Sequence, residues 1–314
     1  MKNTPLPDDS PKGYAYALGA YLLWGMLPLY MKAMAHISPT EIIAHRIIWS
    51  VPVAAAVLIW QRRTNDIRAA IAHPHLLAMA ALTAILITGN WLIYVWAIAN
   101  NHTIEAALGY YINPLFSICL AALFLGERLS RLQYIAVGLA ASAVVILTLE
   151  TGSLPAVAVG LILSWGFYAF FKRSLPLGPN QGFMLEVMLL FIPALLYLIW
   201  LHIQGTARFG TNWHDTLLLI GCGPITAIPL MLYANGAKLL RLSTIGILQY
   251  ITPTMVFLIA VFLFSEPFKG AKVIAFPLIW AALALYSVTL IRAARRATAI
   301  KRTRARHPSH VDRA

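Results

Sequence analysis

Leu108-Gly109-Tyr110-Tyr111-Ile112-Asn113-Pro114 lies inside an apolar block at 104–125, and Gln249-Tyr250-Ile251-Thr252-Pro253 lies at the corresponding depth of a second block at 243–264. Tyr111, Ile112 and Pro114 meet Tyr250, Ile251 and Pro253 at an offset of 139 positions. The same register carries Tyr94 onto Tyr233, Ala121 onto Ala260 and Glu127 onto Glu266. Nearer the N-terminus, Gly19, Trp24, Gly25 and Pro52 meet Gly160, Trp165, Gly166 and Pro193 at an offset of 141, so one loop differs by two residues between the copies. Matching Leu and Ala mean little in an apolar chain. Tyr, Pro and Glu holding their spacing mean that the chain repeats itself.

Each copy is a series of apolar blocks, at 13–33, 41–60, 75–98, 104–125, 132–149, 154–172, 182–201, 215–236, 243–264 and 272–292. A helix rising 1.5 Å per residue needs about 20 such residues to cross a hydrocarbon core roughly 30 Å thick. Hydrophobic residues make up 60% of the chain and charged ones 11%, against roughly 25% charged in a soluble domain. The blocks lack the period-two alternation of barrel strands and run about twice their length. The expected fold is therefore an all-α integral membrane protein of ten transmembrane helices. The connections are too short to hold a soluble catalytic or nucleotide-binding domain. Ala33-Met34-Ala35 has the look of a signal-peptidase site, but the preceding block exceeds the 7–15 residues of a signal core and Lys32 stands where a small neutral residue is wanted. The first block is expected to stay as a helix.

The net charge of +13 is unevenly placed. One set of connections carries Lys2, Lys12, Arg62, Arg63, Arg68, Arg128, Arg131, Lys172, Arg173, Lys238, Arg241 and the basic tail; the alternate set carries Lys32, Arg208, Lys269 and Lys272. The positive-inside bias puts both termini in the cytoplasm. The tail, with Arg295, Arg296, Lys301, Arg302, Arg304 and Arg306, reads as an anchor for anionic lipid headgroups. No aromatic interleaving or RNA-binding motif accompanies it, so no nucleic-acid partner is expected. The organisation expected is a cytoplasmic segment at 1–12, five-helix repeats at 13–149 and 154–292, and a basic disordered cytoplasmic tail at 293–314. Five is odd, so the second copy enters the membrane from the opposite side. Such inverted repeats are widely used by secondary transporters.

Trp24-Gly25-Met26-Leu27-Pro28-Leu29-Tyr30, Glu41-Ile42-Ile43-Ala44-His45-Arg46-Ile47-Ile48-Trp49-Ser50, Asn90-Trp91 with Tyr94-Val95-Trp96, and the two proline segments quoted above resemble the RarD group of EamA-type permeases, within the drug/metabolite transporter superfamily. The resemblance spans roughly 13–292, denser in the first half than in the second, where Glu186 and residues 249–253 carry it. It implies two EamA repeats, an inner-membrane location and export or exchange of small organic metabolites. The alternatives are a flippase of the same fold for lipids or lipid-linked solutes, and a non-transporting membrane enzyme or receptor.

Polar and helix-breaking residues at mid-membrane depth point to a transport path. Pro114 and Pro253 free the carbonyls of Tyr110 and Gln249, and Asn113 and Thr252 stand just before them. Both halves therefore offer a polar, loosened segment at one level. Asn90 and Tyr94 lie one turn apart in the third block, and Asn90 needs a partner from either a neighbouring helix or a solute. Gly221-Cys222-Gly223-Pro224 in the eighth block reads as a close-packing hinge. Trp60, Trp200 and Trp213 suit an interfacial belt. Trp24, Trp49, Trp91, Trp96, Trp165 and Trp280, with Tyr94, Tyr110, Tyr111, Tyr168, Tyr233 and Tyr250, form a set from which a lining for flat organic solutes can be drawn.

The path assigned from these features comprises Trp24, Asn90, Tyr94, Tyr110, Tyr111, Asn113, Pro114, Trp165, Tyr233, Gln249, Tyr250, Thr252 and Pro253. Glu41, His45 and Arg46, in the first turns of the second block, and Glu186, which occupies the position of His45 in the second repeat, are candidates for gating or proton coupling. Two readings of Arg46 stand: its stem snorkels to the headgroups from a depth of roughly 7 Å, or its guanidinium gates the path or captures a carboxylate. Glu127 and Glu266 read as span-end anchors. Cys119 and Cys222 stand alone in separate blocks, so no metal, disulfide or cofactor is expected. The chain carries no GxxxxGK[ST], HExxH or GxSxG, so neither ATP-driven pumping by this chain nor those hydrolase chemistries are expected, and the protein reads as a non-enzyme.

Overall fold

The computed structural model describes residues 9–306 except 65, 66, 68, 69, 127, 238 and 241. Glu127 and its span-end role lie outside the described residues, as do Lys2, Arg68, Lys238, Arg241 and the tail beyond Arg306. The helices are α1 (Pro11–Ala33), α2 (Pro39–Trp60), α3 (Pro74–Ala99), α4 (Thr103–Leu125), α5 (Arg131–Thr151), α6 (Ala156–Ser174), α7 (Pro179–Ile203), α8 (Trp213–Ala237), α9 (Leu242–Leu248), α10 (Ile251–Leu258) with a π-helical turn (Ile259–Leu263), and α11 (Lys272–Arg306). α9, α10 and the π turn form one span, which makes ten.

Local chemistry sets the helix ends. Prolines open α1, α2, α3 and α7 in the first turn, where the missing N–H was unpaired in any case. Ser130 and Gln133 open α5 with a reciprocal capping box. Gly126 and Gly152 close α4 and α5 at φ 65° and 69°, a left-handed conformation that glycine adopts without a Cβ clash.

Eight of the ten spans are long and apolar enough to cross a membrane on length and composition alone; α1 and α6 fall short. These two hold the same position in the two repeats, and both turn aromatic side chains toward the protein centre. α6 is apolar but short, whereas α1 reaches spanning length with more polar and small residues.

The packing follows the repeat. α2 packs on α7, α4 on α10 and α5 on α11, each helix against its own counterpart. The crossed contacts come in equivalent couples: α1 on α8 with α3 on α6, α2 on α8 with α3 on α7, and α4 on α6 with α1 on α10. A two-fold axis between two five-helix units produces this pattern, and the odd number of spans makes the copies inverted. The close approach expected at Gly221 and Gly223 is present: a Cβ at Gly221 would strike the Tyr30 hydroxyl of α1, and one at Gly223 would strike the Trp49 backbone of α2.

Two expectations are corrected. The loosened segments are not equivalent: α4 runs unbroken through Pro114, whereas the ninth span breaks at Gln249 and Tyr250, just before Pro253. α4 is braced on both sides by α6 and α10, and its helix continues through Pro114. At the other end, residues 293–306 continue α11 as helix where a disordered tail is expected. Ala, Arg and Lys, which dominate there, rank among the best helix formers.

Candidate functional site

α1, α2, α3, α4, α6 and α8, with the break in the ninth span, surround a central cavity of about 940 Å³ of space not filled by protein atoms, part of it open to solvent. Trp24 faces it from α1 and Trp165 from α6. Ile87, Trp91 and Tyr94 on α3 answer Thr226, Leu230 and Tyr233 on α8. Tyr110 and Asn113 on α4 answer Gln249 and Thr252 in the ninth span. Every couple is separated by its repeat offset, 141 for the tryptophans and 139 for the rest. The cavity lies on the axis that relates the two halves.

Helical geometry explains which path residues reach it. Tyr110 and Asn113 are three apart and share a face, while Tyr111 and Pro114 share the next. Only the first face lines the cavity. Tyr111 points instead to a peripheral crevice between α4, α10 and α11, where its hydroxyl and the Thr254 hydroxyl lie 2.8 Å apart. Tyr250 lines the same crevice, although Pro253 does reach the cavity. Tyr111, Tyr250 and Pro114 are thus removed from the lining. Ile87, Thr226, Leu230 and Tyr21 also line it and were not singled out from the sequence. Ile87 and Thr226 stand seven residues before Tyr94 and Tyr233, and Leu230 three before Tyr233, on the same helix faces, and that periodicity was the available signal.

The tryptophans divide accordingly. Trp24, Trp91 and Trp165 line the cavity, Trp96 and Trp280 are exposed on the outer surface, and Trp49 donates to His45 Nδ1 at 3.2 Å. Trp60, Trp200 and Trp213 are exposed, as interfacial residues should be.

Asn90 takes its partners from the protein. Its Nδ2 donates to Ser164 Oγ at 2.9 Å and to the Leu161 carbonyl at 3.3 Å, and its Oδ1 accepts from the Tyr110 hydroxyl at 3.2 Å. One amide therefore ties α3 to α4 and α6 at the cavity wall. Asn90→Leu is expected to lower stability by about 1 kcal/mol, the usual scale for interhelical hydrogen bonds in membranes. A thermal-unfolding midpoint equal to that of the wild type would show that these bonds contribute nothing.

The charged candidates separate. Arg46 does not snorkel: it is 3% exposed and lines the cavity. Its Nε donates to Thr226 Oγ1 at 3.0 Å, and its Cζ lies 4.6 Å from the Trp91 ring centroid. α2 packs against α8, so the Arg46 stem emerges toward the protein centre and has no route along a lipid-facing surface. Glu41 is buried at the start of α2, where Oε1 accepts from the backbone of Arg208 at 2.7 Å and Phe209 at 3.1 Å. His45 stacks on Phe209 at 4.7 Å between centroids. These two hold the connection between α7 and α8 against α2. Glu186 accepts from Lys172 Nζ at 2.6 Å. None of Glu41, His45 and Glu186 lines the cavity.

Comparison with known proteins agrees with this architecture. Residues 11–149 match the EamA-like transporter family. An uncharacterized transporter of Vibrio cholerae is 41% identical over 93% of this chain and 97% of its own length. Protein RarD of Escherichia coli K12 is 39% identical over 91% of this chain and 97% of its own. A solved crystal structure, 21% identical, superimposes with a TM-score of 0.58 over 90% of this chain and 98% of that one, a likeness of fold. With ten helices in two inverted repeats closed around a shared cavity, and relatives this similar along nearly their whole length, the chain belongs to the RarD group of EamA-like transporters in the drug/metabolite transporter superfamily.

Proposed function

We propose that the protein is a secondary transporter that exports or exchanges small organic solutes by alternating access, with the central cavity as its binding site. The observation that carries this reading is the lining itself: six couples of residues, each related by the repeat offset, converge on one space. A site on the axis of two inverted repeats can be offered to either side of the membrane by rocking one repeat against the other. The walls are largely aromatic, which suits an organic solute better than a bare ion. The absence of a phosphate-binding GxxxxGK[ST] loop in this chain favours a secondary mechanism. The bias of Lys and Arg supports cytoplasmic termini and, with it, an inner-membrane location.

The test uses sealed vesicles loaded with a mixture of small metabolites, with the compounds that leave identified by mass spectrometry. At least one solute is expected to cross only when the protein is present. Tyr110→Ala and Gln249→Ala, on the cavity face, are expected to slow it about tenfold, equivalent to roughly 1.4 kcal/mol of lost contact. Tyr111→Phe, on the crevice face, is expected to leave the rate unchanged. No flux of any solute would overturn the reading, and equal effects at Tyr110 and Tyr111 would move the site elsewhere.

A further inference from the structure

The repeat symmetry of the cavity fails at Arg46. Its counterpart 141 positions on is Val187, so the charge exists in one half alone. Among the described lining residues Arg46 is the only charged side chain.

Among the described residues that charge has no counter-ion. Nε has Thr226 and the plane lies over Trp91, but Nη1 is buried with no hydrogen-bond partner. No ion pair involves Arg46 among the described residues. The described carboxylates are engaged elsewhere: Glu41 with the Arg208 and Phe209 amides, Glu186 with Lys172, Asp215 with His36 and Asn212, Glu266 with the Thr103 and Ile104 amides, Glu150 with the Ala271 amide, Glu105 with His102 and Asp9 with Thr244. Leaving a buried cation unpaired is costly, and a cation–π contact returns only part of that cost. A second polar group at the same wall is also unsatisfied. Asn113 is 5% exposed, and neither its Oδ1 nor its Nδ2 has a partner. A transmembrane charge without a protein partner is expected where the partner is a passing ligand.

We propose that the cavity takes a small organic anion, a carboxylate on an aromatic or apolar body, with the Arg46 guanidinium as its counter-charge and the Asn113 amide as a second polar contact. This rests on the transport reading of the same cavity. A planar guanidinium matches a carboxylate through two parallel N–H donors. The cavity's tyrosines and tryptophans suit the body, and a cationic solute would meet Arg46 with nothing to offset the repulsion.

The test measures calorimetric binding to purified protein in lipid nanodiscs with three scaffolds, phenylacetate, indole-3-acetate and isovalerate, each beside its primary amide and the corresponding amine. At least one carboxylate is expected to bind, its amide at least tenfold more weakly, and its amine not measurably. Arg46→Gln is expected to reduce the carboxylate's affinity to that of the amide, and Arg46→Lys to retain part of the difference. Should Arg46→Gln fail to fold, the comparison within the wild-type protein decides the matter alone. Binding of an amide or amine as tight as that of its carboxylate overturns the proposal, as does failure of every carboxylate to bind or wild-type affinity in a folded Arg46→Gln protein. The two readings fail separately. A protein that selects carboxylates but moves no solute in vesicles refutes transport and leaves the anion site standing. One that moves only neutral or cationic solutes refutes the anion site and leaves transport standing.

Discussion

Gly223→Ala is expected to abolish recovery of monodisperse protein, while Gly89→Ala is expected to leave it unchanged. Both glycines lie inside membrane helices, so both gain about 1 kcal/mol of helix propensity from alanine. They differ in what the new methyl meets. At Gly223 it would fall on the carbonyl of Trp49 in α2, with the Trp49 Cβ 2.6 Å away; at Gly89 nothing lies within 4 Å. A backbone carbonyl cannot rotate aside as a side chain can. α2 and α8 would have to part along their shared face, which also carries the Arg46–Thr226 bond. Overpacking usually costs 1–3 kcal/mol, and a clash that moves two helices belongs at or above the upper end. Gly25→Ala supplies an intermediate: its methyl would meet the Met255 side chain, whose thioether end can swing aside while its Cβ, 2.8 Å away, can yield only with the backbone. Size-exclusion profiles and unfolding midpoints should rank the three variants in that order, and a Gly223→Ala protein as stable as Gly89→Ala would contradict the packing described between α2 and α8.

Glu266→Ala is expected to destabilise the protein by about 2–4 kcal/mol, from the loss of two charge-assisted hydrogen bonds and the exposure of two orphan donors. Glu266 follows the π turn, and its two carboxylate oxygens accept from Thr103 N at 2.8 Å and Ile104 N at 2.9 Å. It thus caps the N-terminus of α4 from the other repeat, and the negative charge meets the positive end of that helix. Glu266→Gln keeps one acceptor but turns the other atom into a donor facing a donor, so its loss should be intermediate. Thermal unfolding of the three proteins in one detergent checks the order, and a Gln variant indistinguishable from wild type would mean that the charge is immaterial.

The apolar blocks and the spaced Tyr, Pro and Glu made the ten spans and their duplication readable without coordinates, because block length and repeat register are properties of the chain itself. The cavity was readable in part. Trp24 with Trp165, Tyr94 with Tyr233 and Asn113 with Thr252 were found because both members are conspicuous. Ile87 with Thr226 was passed over because neither is conspicuous in an apolar helix, and Trp91, though in the aromatic set, was not carried into the path because its counterpart Leu230 is ordinary. Tyr111 was misplaced for a different reason. It matches its counterpart better than Tyr110 does, yet the two tyrosines point about 100° apart on one helix. Matching reports that a position is equivalent, and only packing reports which way it faces. The depth of Arg46 misled in the same manner: counting residues from the surface measures height in the membrane, whereas burial depends on whether the helix turns that side to lipid or to α8.

The uneven proline segments bear on how the two repeats exchange places. Under the alternating access proposed above, an unbroken α4 would move as a lever, transmitting displacement along its whole length. The ninth span, interrupted at Gln249 and Tyr250 and again by the π turn, can absorb the same displacement as local bending. In the proposed cycle the outward and inward arrangements would then not be mirror images of each other. One half would swing and the other flex, and the two conformers need not be equally populated even before any solute or gradient acts.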